Sequence, residues 1–470
     1  MVEHDDDIGF SRSNEVSMSL EDEGAGAEDE ERQVKRRRIT GRLGCVQREM
    51  KLQISCLPTD VLYCVLDKLL ELVDYVRFAV VCKELQQVAK LYNCTKQRWV
   101  SKPKLLPMLM LPPNESDNDA KQRLLYSVSE RKIYNINICL TMPYNEMFCG
   151  SSQGWLASAL RSTTVEGPEK RKSKLVHEIT LRNPFGKASE VIHLPPYMHC
   201  IQKLFQHVKD WIPRVILSAN PALHPENYYV LFALFRPLAT RIGYTNGYSP
   251  PLALIKGGQE SWITIKRLPP DLHKFDDVIF HKNKVCLLLE RGYRMVTLDV
   301  NSISNLSHPK IQYMRFTDDP TYIFLAHGRE RYLVESTNGD LLLVLRFYAF
   351  KETTFGVCKI VFNEEDKSRV QLVEVKCIGD DAIFLGQSQS QSVLASSVPG
   401  CKPNCIYYAT ESVKRDEYPS ECDYLKSEMG IFNLGDRTRT TLIDSDSISN
   451  WNWNEMKMPF WVLPSLGRSS

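Results

Sequence analysis

Net charge is almost missing from this 470-residue chain: 59 lysines and arginines face 57 aspartates and glutamates, leaving a formal +2. Without a one-signed field there is no global pull toward nucleic acid or an anionic membrane, and binding of either kind would need a local patch. Long hydrophobic runs are missing too. The best candidate, Tyr228 to Phe235, is strand-length and ends at Arg236, well short of the roughly 18 residues a membrane helix needs. The first residues, with Glu3 and Asp5 to Asp7, lack the basic flank and apolar centre of a secretory signal, so a reducing compartment is expected. No Walker-type loop is present, and no G-x-G-x-x-G follows a strand pattern, since Gly24 and Gly26 lie in an acidic stretch. Nucleotide chemistry therefore has no support.

Apolar residues make up 43% and charged residues 25% of the chain, the usage of a globular protein able to bury a sizeable core. The length predicts two or three units, or one large propeller plus a smaller domain. Most of the fourteen cysteines sit singly in apolar stretches, as Cys64, Cys82, Cys139 and Cys286 do, which reads as free thiols acting as small hydrophobes. The Asn114-Glu-Ser116 sequon reads as chance in such a compartment.

Charge is nevertheless sharply divided at the start. Residues 1–31 hold twelve acids and one base, whereas 32–51 hold eight bases and one acid, centred on Lys35, Arg36, Arg37 and Arg38. A segment so poor in large apolar residues cannot offset its ordering entropy, so 1–50 is expected to be a disordered tail. Its basic cluster is a candidate nuclear-import address, giving an expected distribution between nucleus and cytoplasm. The plainer reading is a solvated linker paired with the acidic tail. No aromatic residues interleave with the cluster, so no nucleic-acid partner is expected.

From Leu57 the texture becomes helical. Val61, Leu62, Val65, Leu66, Leu69 and Leu70 recur at spacings of three and four behind Pro58, placed at the expected first turn. Asp74 reads as the N-cap of a second short helix, and a third runs from about Lys83 to Tyr92. Three short helices in about forty residues are too few for a comfortable core, so the apolar face is expected to complete itself on a partner or on the following domain.

Beyond about residue 105 short apolar or aromatic runs alternate with turn residues. Val278 to Phe280 and Val285 to Leu289 flank Lys282-Asn283-Lys284, and Tyr332 to Glu335 joins Leu341 to Leu345 through Asn338-Gly339-Asp340, a strong hairpin signal. Antiparallel strands over such a length need closure to hide their edges, and a propeller supplies it. The expected fold is therefore mostly β: a small helical segment at 54–95, a linker at 96–129 and a propeller of six to eight blades at 130–466.

The stretch LPTDVLYCVLDKLLELVDYVRFAVVCKELQQVA, residues 57–89, resembles the F-box. The resemblance implies docking on a Skp-type adaptor, and through it on a cullin, by Leu57, Pro58, Leu62, Val65, Leu66, Leu69, Val81 and Cys82. One departure is Leu85, where plant members usually carry tryptophan; a smaller side chain there is expected to loosen the third helix. The remainder resembles the propeller of plant F-box proteins of the KIB type. That likeness rests on CGSSQGWLA (149–157), LRNPF with a later HLPP (181–196), ALIKGGQESW (253–262), DVIFHKNKV (277–285) and YLVEST followed by GDLLLV (332–344). IGDDAIFLG (378–386), PGCKPNCIYY (399–408), GIFNL (430–434) and PFWVLPSL (459–466) continue it in the same order. The resemblance implies the substrate-recognition subunit of a ubiquitin ligase, non-catalytic and without cofactor. Within the family it offers a glycogen-synthase-kinase-like kinase as a target class.

Rival chemistries leave traces. Gly150-x-Ser152-x-Gly154 has the letters of a hydrolase elbow without the alternating strands and helices that motif requires. Cys401, Cys405 and Cys422 lack a fourth zinc ligand, and His177, His193, His199 and His207 have no regular ligand spacing; core or surface roles are the plainer reading. Trp155, Trp262, Trp451, Trp453 and Trp461 could line a groove, but blade packing is the expectation. The rival function from another class is a propeller scaffold or kinase inhibitor acting outside a ligase.

Overall fold

In a computed structural model the chain is described at residues 57–69, 72–96, 107–111, 123–136, 146–166, 172–184, 191–202, 212–235, 252–265, 275–289, 294–303, 311–317, 329–349, 352–398, 400–413, 425–443 and 459–462. The acidic and basic tail, with Lys35 to Arg38, lies outside the described residues.

Helix α1 (Thr59–Lys68) follows Pro58, whose extended backbone (φ −55°, ψ 143°) makes it the N-cap. Its carbonyl accepts the Val61 and Leu62 amides at 3.0 and 3.1 Å, so the proline sits just before the first turn rather than in it. A second correction concerns α2 (Leu72–Val80). It starts two residues ahead of Asp74, whose carboxylate takes the Arg77 guanidinium at 3.1 Å. With a cation one turn away and the helix N-terminus behind it, an acid is favoured in this first turn as well as at the cap. Helix α3 (Lys83–Lys96) runs past Tyr92. Its cap is Cys82, whose carbonyl and thiol accept the Gln86 and Leu85 amides at 3.0 and 3.4 Å. Leu66, Tyr75, Ala89 and Tyr92 form the small core, tied by the Tyr75 hydroxyl donating to the Ala89 carbonyl at 2.6 Å. Leu85 is 2% exposed, so the leucine in the tryptophan position is packed and not a loose end.

The strands form successive sheets, antiparallel within each except for one parallel pair in the sixth, Asp381–Leu385 with Cys405–Val413. The first holds β1 (Met108–Leu111), β2 (Arg123–Ser127) and β3 (Lys132–Ile136); the second β4 (Glu146–Ser152), β5 (Trp155–Glu166), β6 (Lys172–Arg182) and β7 (Val191–His193), with β8 (Tyr197–Gln202) also on β6. The third holds β9 (Ile212–Leu217), β10 (Tyr229–Phe235), β11 (Leu252–Lys256) and β12 (Ile263–Thr264). The fourth holds β13 (Phe275–His281), β14 (Lys284–Leu289), β15 (Arg294–Asp299) and β16 (Ile311–Phe316); the fifth β17 (Arg329–Glu335), β18 (Leu341–Ala349), β19 (Glu352–Phe362) and β20 (Arg369–Glu374). A short parallel pairing of β16 with β20 joins these two. The sixth is ordered β22 (Gln391–Leu394), β21 (Asp381–Leu385), β23 (Cys405–Val413), β24 (Leu425–Asn433) and β25 (Arg439–Thr441). Last in sequence, β26 (Phe460–Val462) returns to pair antiparallel with β1.

Six apolar clusters lie between consecutive sheets among the described residues, including one between the sixth and the first around Tyr126, Phe384, Tyr407 and Trp461. The sheets therefore close into a six-bladed propeller, within the expected range. Closure falls on β26. Trp461 is 1% exposed; its indole donates to the Leu385 carbonyl at 2.8 Å, and its own carbonyl accepts the Ser388 hydroxyl at 3.1 Å. Trp461→Ala leaves a large void at the seam where β26 meets β1, and removing such a buried side chain costs about 3–5 kcal/mol. Urea unfolding should show the unfolding free energy lowered by that amount, several times the effect of a substitution at exposed Tyr313.

Candidate functional site

Two surfaces stand apart from the packed ring. On the helical unit, Leu57, Val61, Val65, Val80 and Val81 are exposed at 41, 44, 40, 71 and 42%. Val61 and Val65 are four apart on α1 and so share a face. Leu62 and Leu66 point the other way, at 4 and 0% exposure, and Leu69 packs on the same small core. The residues matched to adaptor docking thus divide: Leu57, Pro58, Val65 and Val81 lie at the surface, Leu62, Leu66 and Leu69 hold that surface in place, and half-buried Cys82 caps α3. The resemblance did not assign Val61 or Val80 to docking, although the apolar three-four period includes Val61. Arg77, on α2, reaches Glu130 in the β2–β3 turn at 3.5 Å.

The second surface is a cavity of about 980 Å³ at the centre of the ring. It is built where the first strands of four blades end: the Gln153 turn after β4, Leu217 to Ala219 after β9, the end of β13 with its turn, and Glu335 to Thr337 after β17. The sixth blade adds the polar run Gln389 to Ser392. Tight two-residue turns make this rim possible: Gln153 and Gly154 (φ 53° and 80°), and Lys282 and Asn283 (φ 46° and 59°), all adopt left-handed backbone, as hairpins of this twist require. His281 Nδ1 stands 3.1 Å from a Glu335 carboxylate oxygen.

Polar side chains at the same depth knit the blades. Ser152, the serine of the elbow-like motif, is 2% exposed. Its oxygen accepts the Leu217 amide at 2.9 Å and its hydroxyl lies 2.5 Å from the Gln389 carboxamide, so it spans three blades. Asp277 accepts the Leu333 and Val278 amides at 2.7 and 2.9 Å and pairs with Arg214 at 2.7 Å. Burial still pushes its carboxyl above the usual range, with Arg214 opposing. Between blades five and six the fully buried Arg346 meets Glu330 at 3.0 Å and Glu428 at 2.8 Å.

Other sequence candidates take packing roles. Cys405 is buried, which raises its thiol pKa, and Cys401 packs on the same cluster; Cys422 lies outside the described residues. Trp155 is buried, its indole donating to Asn220 at 2.9 Å, and half-buried Trp262 donates to the Pro195 carbonyl at 2.6 Å; Trp451 and Trp453 lie outside the described residues. His193 lies 3.4 Å from the Thr180 hydroxyl, and His207 is not described. His177 and His199, brought together by the β6–β8 pairing, stack at 5.6 Å with 9° between ring planes, beside Phe232. All four ring nitrogens are buried without a hydrogen-bond partner among the described residues.

A family model described as the KIB1-4 beta-propeller matches residues 125–433. The chain belongs to the KIB1-4 beta-propeller family. Curated relatives come from Arabidopsis thaliana. F-box protein At4g35733 is 27% identical over 39% of this chain and 46% of its own length. Putative F-box protein At3g25750 is 25% identical over 41% and 47%, and probable F-box protein At1g65740 is 29% identical over 29% and 36%. The chain thus matches less than half the length of each. In this KIB-type propeller β26 lies beyond the family match, so the strand that closes the ring is supplied from outside it.

The histidine pair generates a pH dependence. Burial, helped by nearby Arg161, lowers the pKa to about 3 for His177 and about 4 for His199. Unfolded imidazoles titrate near 6.5, so between there and pH 3–4 the unfolded chain binds protons that the folded one refuses, and stability falls as pH falls. At pH 5.5 the loss is about 1.4 kcal/mol per histidine. His177→Phe should shrink the difference in unfolding free energy between pH 7.5 and 5.5 by about that amount, measured by urea titration at both pH values.

Proposed function

We propose that this chain is the substrate-recognition subunit of an SCF-type ubiquitin ligase: its helical unit docks on a Skp-type adaptor bridging to a cullin, and its propeller holds the protein to be ubiquitinated. The observation that carries this reading is the exposed apolar set Leu57, Val61, Val65, Val80 and Val81 on a unit whose own core is only four or so side chains. Large exposed apolar residues gathered on one small element mark an interaction site, and burying one such side chain in a partner is favourable by about 1.5–3 kcal/mol. The printed names of the relatives that part of this chain matches call them F-box proteins. Buried Leu85 supports an intact third helix.

In this role the chain needs no catalytic group. It raises the effective concentration of a target's lysines near a charged ubiquitin-conjugating enzyme. The Lys35 to Arg38 cluster is proposed as a nuclear-import address, placing the protein in nucleus and cytoplasm. A glycogen-synthase-kinase-like kinase is the first target to test on family grounds. A scaffold or kinase inhibitor working outside a ligase would use the propeller without the helical face.

The exposed face separates these readings. Val65→Glu with Val81→Glu should leave the thermal transition within about 0.5 kcal/mol of wild type, as exposed substitutions do. Co-precipitation of the Skp-type adaptor and cullin at physiological salt should nevertheless be abolished. Leu66→Ala should lose adaptor by a different route, destabilising the helical unit by about 2–5 kcal/mol. A scaffold would recover no ligase subunits even as wild type.

A further inference from the structure

The cavity ringed by the blade ends is lined quite differently from the apolar helical face. Its walls are rich in carboxamides: Gln153, Asn227, Asn283 and Gln391 line it, and none of these four side chains makes a hydrogen bond among the described residues. Ser390 is 5% exposed, yet its hydroxyl has no partner among the described residues, and Ser390 also lines the cavity. A buried hydroxyl left unpaired costs about 1–3 kcal/mol, a cost that a ligand's polar group would remove. Two lysines stand against one carboxylate in the lining: Lys256 and Lys282 make no ion pair among the described residues, and Glu335 lies 3.1 Å from the His281 imidazole.

A carboxamide presents one donor edge and one acceptor edge, the same pair a peptide main chain offers at each residue. Four unpaired carboxamides around one cavity therefore match an extended backbone better than they match a compact ion. The two lysines add a preference for negative charge. About 980 Å³ lies at the upper end of ligand-sized clefts and exceeds what one side chain needs.

We propose that this cavity binds an extended peptide segment bearing a carboxylate side chain, its main chain held by carboxamides such as Gln153, Asn283 and Gln391 and its acid by Lys256 and Lys282. This deepens the ligase reading by naming the class of sequence through which a target is held, and it rests on that reading for the identity of the ligand as a protein. Left-handed Gln153, Lys282 and Asn283 put three of these side chains on hairpin tips facing the ligand. Because the rim comes from separate blades, the recognised segment spans the ring rather than lying along one blade.

The test is selection from a phage-displayed random linear dodecapeptide library on the full-length protein, with capture of Skp-type adaptor measured on the same preparations. Enriched sequences should share an Asp or Glu at a fixed position. A synthetic peptide of the best sequence should bind roughly tenfold more weakly when its acid becomes the amide, when the protein carries Lys282→Gln, or when it carries Gln391→Leu. That factor matches a charge-assisted or uncompensated hydrogen bond. Binding should also weaken between 50 and 500 mM NaCl, while the thermal transitions and adaptor capture of both variants stay at wild-type values. Selection yielding no enriched peptide, or neutral or basic peptides indifferent to both substitutions, overturns the inference even if adaptor capture is intact. Peptide binding without adaptor capture would instead sink the ligase reading and leave the cavity assignment standing.

Discussion

Everything in this protein's propeller depends on the antiparallel pairing of β26 with β1, residues about 350 positions apart. An open stack of six sheets would leave two unpaired edges and two apolar faces in water. Pairing Met108 to Met110 with Phe460 to Val462 removes the gap, and Trp461 fills the space between blades six and one. The hydrophobic clusters between blades can then support one another around a ring, so no face is terminal. A blade's first strand is consequently fixed from both sides, which holds the ends of these strands rigid enough to build a cavity from several of them.

The polar groups near the axis follow the same constraint. At the centre, backbone groups of one blade meet the next blade rather than solvent, and buried polar atoms must be satisfied. Ser152, Asp277 and Ser388 do this by reaching the backbone of the neighbouring blade. Arg346 with Glu330 and Glu428 does it by charge, an arrangement that gives orientation more than stability because desolvating the ions offsets much of their attraction. The exceptions are informative. Among the described residues the ring nitrogens of His177 and His199 find no partner, and neither does the Ser390 hydroxyl at the cavity.

Much of this was legible locally. The hairpin at Asn338-Gly339, the strand around Val285 and the Lys282-Asn283 turn carry their own turn chemistry and alternation, and all appear where the residues place them. The three helices were legible from spacing, but their caps were not. Pro58, Asp74 and Cys82 each exchange the obvious local role for another, because cap and first-turn positions tolerate the same residues. Which apolar residues of α1 face inward also escaped the sequence: a three-four period marks both faces when Val61 and Val65 interleave with Leu62 and Leu66, and only packing against Tyr75 and Tyr92 separates them.

The sequence by itself determined the classes of structure: a unit of three short amphipathic helices followed by a long run of short strands. These are set within a dozen residues at a time by hydrophobic period, turn residues and charge. Only the tertiary structure decided the number of blades, the closing strand, the stacking of His177 on His199 and the cavity that gathers Gln153, Lys282, Glu335 and Gln391. Each of these depends on pairing between distant segments, whose free energy comes from shared burial and has no local signature in the chain.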